Sequence, residues 1–176
     1  ILSFVLALVF MPLPALLPAY TDGVLDADAD VGGYLMAAMG AGGLTATFII
    51  ASFGFPMGTG RSGLFALVVG SAAILSMAQS HWIFLSLIMV AFMGFAQTFF
   101  IVGNMTLIQT TVPDNLRGRV SSIWSLQHAL NPLAIFLTGL FIDLYTAAGA
   151  LTIIASVSVA LSVYFLLTFR QIRQLR

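Results

Sequence analysis

The longest uncharged stretch of the chain runs from residue 62 to residue 113 and reads SGLFALVVGSAAILSMAQSHWIFLSLIMVAFMGFAQTFFIVGNMTLIQTTVP. A helix needs about 20 apolar residues to cross the hydrocarbon core of a bilayer. The stretch holds 52 residues (62 to 113), so it is too long for one crossing and fits two, divided by the polar turn at 79–81. It lacks the alternation of a barrel strand. We therefore predict two transmembrane helices here.

The composition of the whole chain agrees with a membrane protein. Of the 176 residues, 60% are hydrophobic and only 7% are charged, and the mean hydropathy is +1.09. Soluble domains have about 25% charged residues. The formal net charge is zero and there is no cysteine, which argues against a nucleic-acid partner and excludes a disulfide scaffold.

The gaps between the remaining charges predict four further crossings. The chain is expected to be an all-α integral membrane protein, a single bundle (1–176) of six transmembrane helices. The predicted spans are 1–18, 31–54, 63–79, 82–110, 115–144 and 148–170.

The arginines predict the orientation of the six spans. Arg61 falls between spans 2 and 3, Arg117 and Arg119 fall between spans 4 and 5, and the last three arginines lie in the C-terminal tail. All six are then on one side, which the positive-inside rule makes cytoplasmic, together with both ends of the chain. The sequence starts within an apolar stretch without an initiator Met, so we expect it to be a fragment of a longer chain.

Amides at bilayer depth are the candidates for a substrate pathway. Gln97 and Asn104 are seven residues apart on span 4, and Gln127 and Asn131 are four apart on span 5, so each pair shares a helix face. Uncharged polar side chains at this depth must face protein or water. Hydrogen bonding between helices explains any one of them, whereas the set favours a cavity. His128 is an ionisable group of the same region and either transfers protons or stays neutral and hydrogen-bonded.

Small residues on span 2 predict close helix packing. Gly33, Ala37 and Ala41 recur every four positions, and Gly42 belongs to a parallel stripe. Such stripes let helices approach closely in lipid. The contact could lie within this bundle or could be a sliding surface between two bundles, and the sequence leaves both open.

The loop after span 4 has a specific pattern, VPDNLRGRVSS at 112–122. Pro113 stops span 4, and Asp114 can cap the next helix. Arg117 and Arg119 hold the loop in water and can reach acidic residues or helix ends. They form either a latch that closes the cytoplasmic side or simply an anchor for the topology.

This run resembles the loop between helices 10 and 11 of major facilitator superfamily transporters, especially bacterial drug and siderophore exporters. Residues 58–63 (GTGRSG) are similar to a degenerate copy of the superfamily's Gly-rich cytoplasmic loop, without its Asp. The resemblance implies the C-terminal six-helix half of a twelve-helix fold, with the missing N-terminal half as partner. Spans 1 and 4 would line the pathway, spans 2 and 5 would contact the other half, and spans 3 and 6 would lie outside.

The expected function is secondary active transport in a bacterial cytoplasmic membrane, as proton-coupled efflux of amphipathic small molecules. The partners are then the substrate, protons and the lipid bilayer; no enzyme activity, cofactor or metal site is expected. One alternative is a non-transporting membrane scaffold or truncated pseudo-transporter. A remote alternative is an intramembrane protease, because residues 60–63 (GRSG) superficially match a Gly-x-Ser-Gly motif, with Ser62 as nucleophile and His128 as base.

Overall fold

The computed structural model describes residues 13–55, 58–129, 131–144 and 147–168. The elements of these ranges are α1 (Leu13–Gly23), α2 (Ala29–Phe53), α3 (Thr59–Ala78), α4 (Ile83–Thr111), α5 (Asp114–Ala129), α6 (Asn131–Leu144) and α7 (Ala147–Thr168). Every element in the described ranges is a helix, so the all-α prediction is confirmed for that part of the chain.

Three helices of the described ranges are long and apolar enough to cross a membrane. They are α2 from Asp30 to Phe53 with 24 residues, α3 with 20 and α4 with 29. α3 and α4 both come from the long uncharged stretch at 62–113. The chain is thus compatible with a membrane protein, while the count of six crossings stays a prediction.

The predicted span 115–144 is helical on both sides of residue 130, which lies outside the described ranges. α5 has 16 residues and α6 has 14. Pro132 is the second described residue of α6. Of the predicted span 1–18, residues 1–12 lie outside the described ranges, and α1 covers 13–23.

The connection between α2 and α3 is shorter than the predicted Gly-rich loop. α3 begins at Thr59, so Arg61 and Ser62 are helical. Gly54 and Gly58 have φ angles of 68° and 82°, in the left-handed region that favours glycine. These two residues therefore set the turn.

The helix α4 lies at the centre of the packing. It packs against α2 on one side and α3 on the other, and α3 also packs against α7. One buried cluster includes Leu17, Leu67 and Met93, and joins α1, α3 and α4. A second cluster contains Ala46, Ala66, Ala96 and Phe99. The main contacts of α5 and α6 are with each other and with their chain neighbours α4 and α7.

Two glycines bring the α2 and α4 backbones together. A Cβ atom on Gly42 would overlap the Ala91 carbonyl oxygen, and would lie 2.8 Å from its carbon and 3.0 Å from the Phe95 nitrogen. A Cβ atom on Gly94 would overlap the Met39 carbonyl in the same way. Only glycine fits at such a crossing without moving backbone atoms.

The other residues of the small-residue stripe lie away from this crossing. A Cβ atom on Gly33 would meet nothing within 4 Å. Ala37 and Ala41 are exposed. Gly42 thus lies in a contact within the bundle and Ala41 borders the space next to it, whereas Gly33 and Ala37 belong to a surface of α2 that is open in this structure.

Candidate functional site

Polar residues of α4 follow one face of the helix. Ser86, Gln97 and Asn104 are spaced by 11 and 7 residues, or about three and two helical turns. Ser86 is fully buried, while Gln97 and Asn104 are half-buried. The Asn104 amide nitrogen donates a hydrogen bond to the Phe100 carbonyl at 3.1 Å, which leaves its amide oxygen available as an acceptor.

The Gln97 amide has no hydrogen-bond partner among the described residues. Buried or half-buried amides are normally paired, and a group in contact with hydrocarbon cannot obtain a partner from lipid. Gln97 and Asn104 together thus present free hydrogen-bonding capacity along the middle of an apolar helix. That arrangement can bind the polar part of an amphipathic molecule.

The end of this face near Ser86 is closed by Tyr20 of α1. The Tyr20 side chain is fully buried, and its hydroxyl lies 2.8 Å from the Met77 carbonyl, 3.0 Å from the Ser80 carbonyl and 2.7 Å from Ser86 Oγ. The two carbonyl oxygens only accept, so the Tyr20 hydroxyl donates to them and Ser86 donates to the Tyr20 oxygen. One side chain thereby joins α1, the end of α3 and the start of α4.

Tyr20 lies beyond the predicted span 1–18. Burial raises the pKa of its hydroxyl group, and the hydrogen bond with Ser86 acts in the opposite direction. The hydroxyl group therefore stays protonated at neutral pH and can donate to the two carbonyls. This protonation state is the one that the arrangement of acceptors requires.

The loops around Tyr20 are tied together at the same end of the bundle. His81 Nδ1 lies 3.1 Å from the Val24 carbonyl, so this nitrogen carries a proton and donates. The Trp82 backbone N–H donates to Ser80 Oγ at 3.1 Å, and the Trp82 ring is exposed. The loop from α3 to α4 is thus fixed against the loop from α1 to α2.

The other predicted pathway residues lie on helices that are separate from the centre of α4. Gln127 and His128 are near the end of α5, and Asn131 is the first residue of α6. Nothing is described of these three side chains. The main contacts of α5 are with α4 and α6, and the place of Gln127, His128 and Asn131 in a pathway stays a prediction.

The predicted latch lies at the start of α5. Asp114 is its first residue, and its side chain is outside the described part. Arg117 and Arg119 are exposed, and Arg117 Nε donates to the Val112 carbonyl at 3.2 Å. The backbone N–H groups of Leu116 and Arg117 donate to the Pro113 carbonyl, which closes the first turn of α5.

Two apolar cavities lie beside α4, away from its polar face. One, of about 390 Å³, is between α2 and α4 and is lined by Ala41, Gly42, Thr45, Ile88, Ala91, Phe92 and Phe95. The other, of about 350 Å³, is bounded by α2, α3 and α4 and is lined by Ile49, Ser62, Phe65, Ala66, Val69, Phe92, Phe95 and Phe99. Phe92 and Phe95 contribute to both.

Sequence reasoning missed the roles of Tyr20, Ser86 and Ser62. The spacing of Ser86 from Gln97 and Asn104 puts it on the same face of span 4, and this spacing could have indicated its role. Ser62 was considered only as a nucleophile, yet no hydrogen bond joins it to a base among the described residues. Within the same residues, no group of three His, Cys, Asp or Glu side chains could hold a metal ion.

Comparison of the chain with protein-family models, with curated proteins and with solved structures gives no match. The resemblance to the major facilitator superfamily therefore rests on the motif residues at 58–63 and 112–122 alone.

Proposed function

We propose that the protein is an integral membrane transporter that exports amphipathic small molecules by secondary active transport. The observation that carries this proposal is the polar face of α4. Gln97 and Asn104 offer unused hydrogen-bonding groups in a helix without charges, and Tyr20 closes the face at the end near Ser86. A pathway needs such a polar surface inside the membrane, together with a closure at one end.

The resemblance to major facilitator superfamily transporters supplies the rest of the proposal. The chain would be the C-terminal six-helix half, in a bacterial cytoplasmic membrane with both ends cytoplasmic. The missing N-terminal half would cover apolar surface that is open here, such as Leu44 and Phe48 of α2, which are 75% and 72% exposed. Arg117 and Arg119 would then contact that half on the cytoplasmic side.

Proton coupling would need a titratable group near the pathway. Span 4 has no acidic residue. His128 and Asp143 are the candidates on span 5. A histidine has an unperturbed pKa near 6.5, so it can exchange protons at physiological pH.

Transport in everted membrane vesicles tests the proposal. The full-length parent would be compared with Gln97→Ala and Asn104→Ala, using a panel of fluorescent amphipathic compounds with and without a proton gradient. Thr110→Ala is the matched control, since Thr110 is exposed on the same helix and its hydroxyl donates to the Thr106 carbonyl. We expect gradient-dependent accumulation that is lost in both amide variants and kept in the control.

Two outcomes would contradict the proposal. Accumulation by the wild type that equals that of empty vesicles would favour the scaffold or pseudo-transporter alternative. Transport that survives both amide substitutions, at equal protein levels, would remove the polar face of α4 from the pathway.

A further inference from the structure

The cavity bounded by α2, α3 and α4 has the size and walls of a ligand site. Its volume of about 350 Å³ falls in the range of small-molecule pockets. Phe92, Phe95 and Phe99 form one wall, and the Phe95 and Phe99 rings are stacked with centroids 5.3 Å apart. Flat aromatic faces of this kind favour an aromatic guest, which adds offset-stacked or edge-to-face contacts.

Ser62 is the one polar side chain among the residues that line this cavity. It is only 2% exposed, and its Oγ has no hydrogen-bond partner among the residues that the structure describes. A serine or threonine within a helix usually donates to the carbonyl group four residues earlier. In the described part of this protein such bonds are made by Thr21, Thr45, Thr47, Ser76, Thr106, Thr110, Ser122 and Ser156.

The Ser62 hydroxyl does not make this bond, although the carbonyl group four residues earlier is in its usual helical position. The Gly58 carbonyl accepts the Ser62 backbone N–H at 3.0 Å, yet the hydroxyl is not bonded to it. A buried hydroxyl without a partner loses its hydration and gains nothing in return. In a native structure such a group calls for a physical explanation, and the acceptor atom of a molecule bound in the adjoining cavity provides one.

The cavity is bordered by exposed aromatic side chains on the outer surface of the bundle. Phe65 of α3 and Phe92 of α4 line it and are 57% and 50% exposed. This surface is apolar, so an apolar molecule dissolved in the bilayer can reach the cavity between these two rings. The cavity lies apart from the α4 face that carries Gln97, because positions 92, 95 and 99 are on a different side of the helix.

We propose that this cavity binds an apolar aromatic molecule with a single hydrogen-bond acceptor, of the aromatic ketone class, and that Ser62 Oγ donates to that acceptor. The molecule enters from the lipid, between Phe65 and Phe92. A lipid acyl chain would fill the same space but would leave the hydroxyl unpaired. The proposal rests on the membrane location of α2, α3 and α4 and is independent of transport.

Photolabelling with benzophenone tests the proposal. This probe has two phenyl rings and one carbonyl acceptor, and on irradiation it forms covalent bonds to nearby C–H groups. Membranes that carry the protein would be labelled over a range of probe concentrations, and labelled peptides identified by mass spectrometry. We expect saturable labelling confined to residues near the cavity on α3 and α4. Diphenylmethane, which has the same rings and no carbonyl, should compete about three- to tenfold less well than unlabelled benzophenone, as expected for one lost hydrogen bond.

Variants separate the hydroxyl group from the shape of the cavity. Ser62→Ala should weaken the saturable labelling about three- to tenfold, and Ser62→Thr should restore it, because threonine keeps the donor. Ser76→Ala is the matched control on the same helix, since its hydroxyl donates to the Ala72 carbonyl, and should label as wild type does. Val69→Phe fills the cavity and should abolish the labelling.

The proposal would be overturned by labelling that does not saturate and is spread over the exposed apolar surfaces. It would equally be overturned by diphenylmethane competing as well as benzophenone, which would indicate a plain hydrocarbon groove occupied by lipid. Because the competition uses wild-type protein, it decides the question even where a variant fails to fold. Loss of transport in the Gln97 and Asn104 variants has no bearing on this result.

Discussion

Replacing Gly42 with alanine should separate the backbones of α2 and α4, which are in direct contact at this residue. The added Cβ atom would overlap the Ala91 carbonyl oxygen and would lie 2.8 Å and 3.0 Å from two further backbone atoms, whereas ordinary contacts are 3.4–4 Å. Backbone atoms have no alternative rotamer, so α2 and α4 must move apart. Overpacking of this kind costs about 1–3 kcal/mol, and the better helix propensity of alanine returns about 0.5–1 kcal/mol.

Because the overlap is with backbone atoms, the upper part of the overpacking range applies, about 2–3 kcal/mol. The net expectation for Gly42→Ala is therefore a loss of about 1–2.5 kcal/mol in the free energy of unfolding. Gly33→Ala is the matched control on the same helix, because a Cβ atom there meets nothing within 4 Å. That variant should gain about 0.5–1 kcal/mol from helix propensity alone. Reversible unfolding in mixed detergent micelles, followed by circular dichroism, measures both differences under one condition.

Gly94 provides an internal check on the same reasoning. A Cβ atom at Gly94 overlaps the Met39 carbonyl, so Gly94→Ala should destabilise by a similar amount. Once the helices have parted for one substitution, the second adds less, and the double variant should lose less than the sum of the two. The reasoning is refuted if Gly42→Ala is as stable as the wild type, or if Gly42→Ala and Gly33→Ala shift the stability in the same direction.

Three further substitutions have expected effects on the same unfolding measurement. Tyr20→Phe should lower the free energy of unfolding by about 1–3 kcal/mol, because it leaves buried partners unpaired. The control Tyr34→Phe should leave the stability unchanged, since Tyr34 is exposed. Equal effects of the two substitutions would contradict the role of Tyr20. Asp26→Gly should stabilise by up to about 1 kcal/mol, because Asp26 has a φ of 47° and the relief of left-handed backbone strain, about 1–2 kcal/mol, exceeds the entropy that glycine adds to the unfolded state, about 0.4–1 kcal/mol. A loss of stability would contradict this expectation. Ser62→Ala should stabilise the ligand-free protein by about 1 kcal/mol, since it removes an unpaired buried hydroxyl; a destabilised variant would mean that the hydroxyl has a partner.

The helices of this chain could be predicted from the sequence because they depend on local properties. The uncharged run at 62–113 is long enough for two helices, and α3 and α4 lie within or close to it.

The site features that escaped prediction depend on how the helices are rotated against each other. Helical spacing puts Gly33 and Gly42 on related stripes, and only the packing of α4 decides which of them has a neighbour. The same holds for Ser62, whose unpaired hydroxyl depends on the shape left between three helices. The spacing of residues in the sequence predicts which face of a helix a side chain is on, whereas its contacts are decided by how the helices pack.

The hydrogen bonds of Tyr20 also have a consequence for the order in which the protein is assembled. Its three partners are 57, 60 and 66 residues later in the chain. At a synthesis rate of about 5–20 residues per second, the hydroxyl group waits roughly 3–13 s before Ser86 has been made. During that time the Tyr20 hydroxyl lacks its hydrogen-bond partners on α3 and α4. We therefore expect α1 to dock after α4 has been inserted. The final placement of α1 is thus a late step in the assembly of this bundle, although α1 precedes α2, α3 and α4 in the sequence.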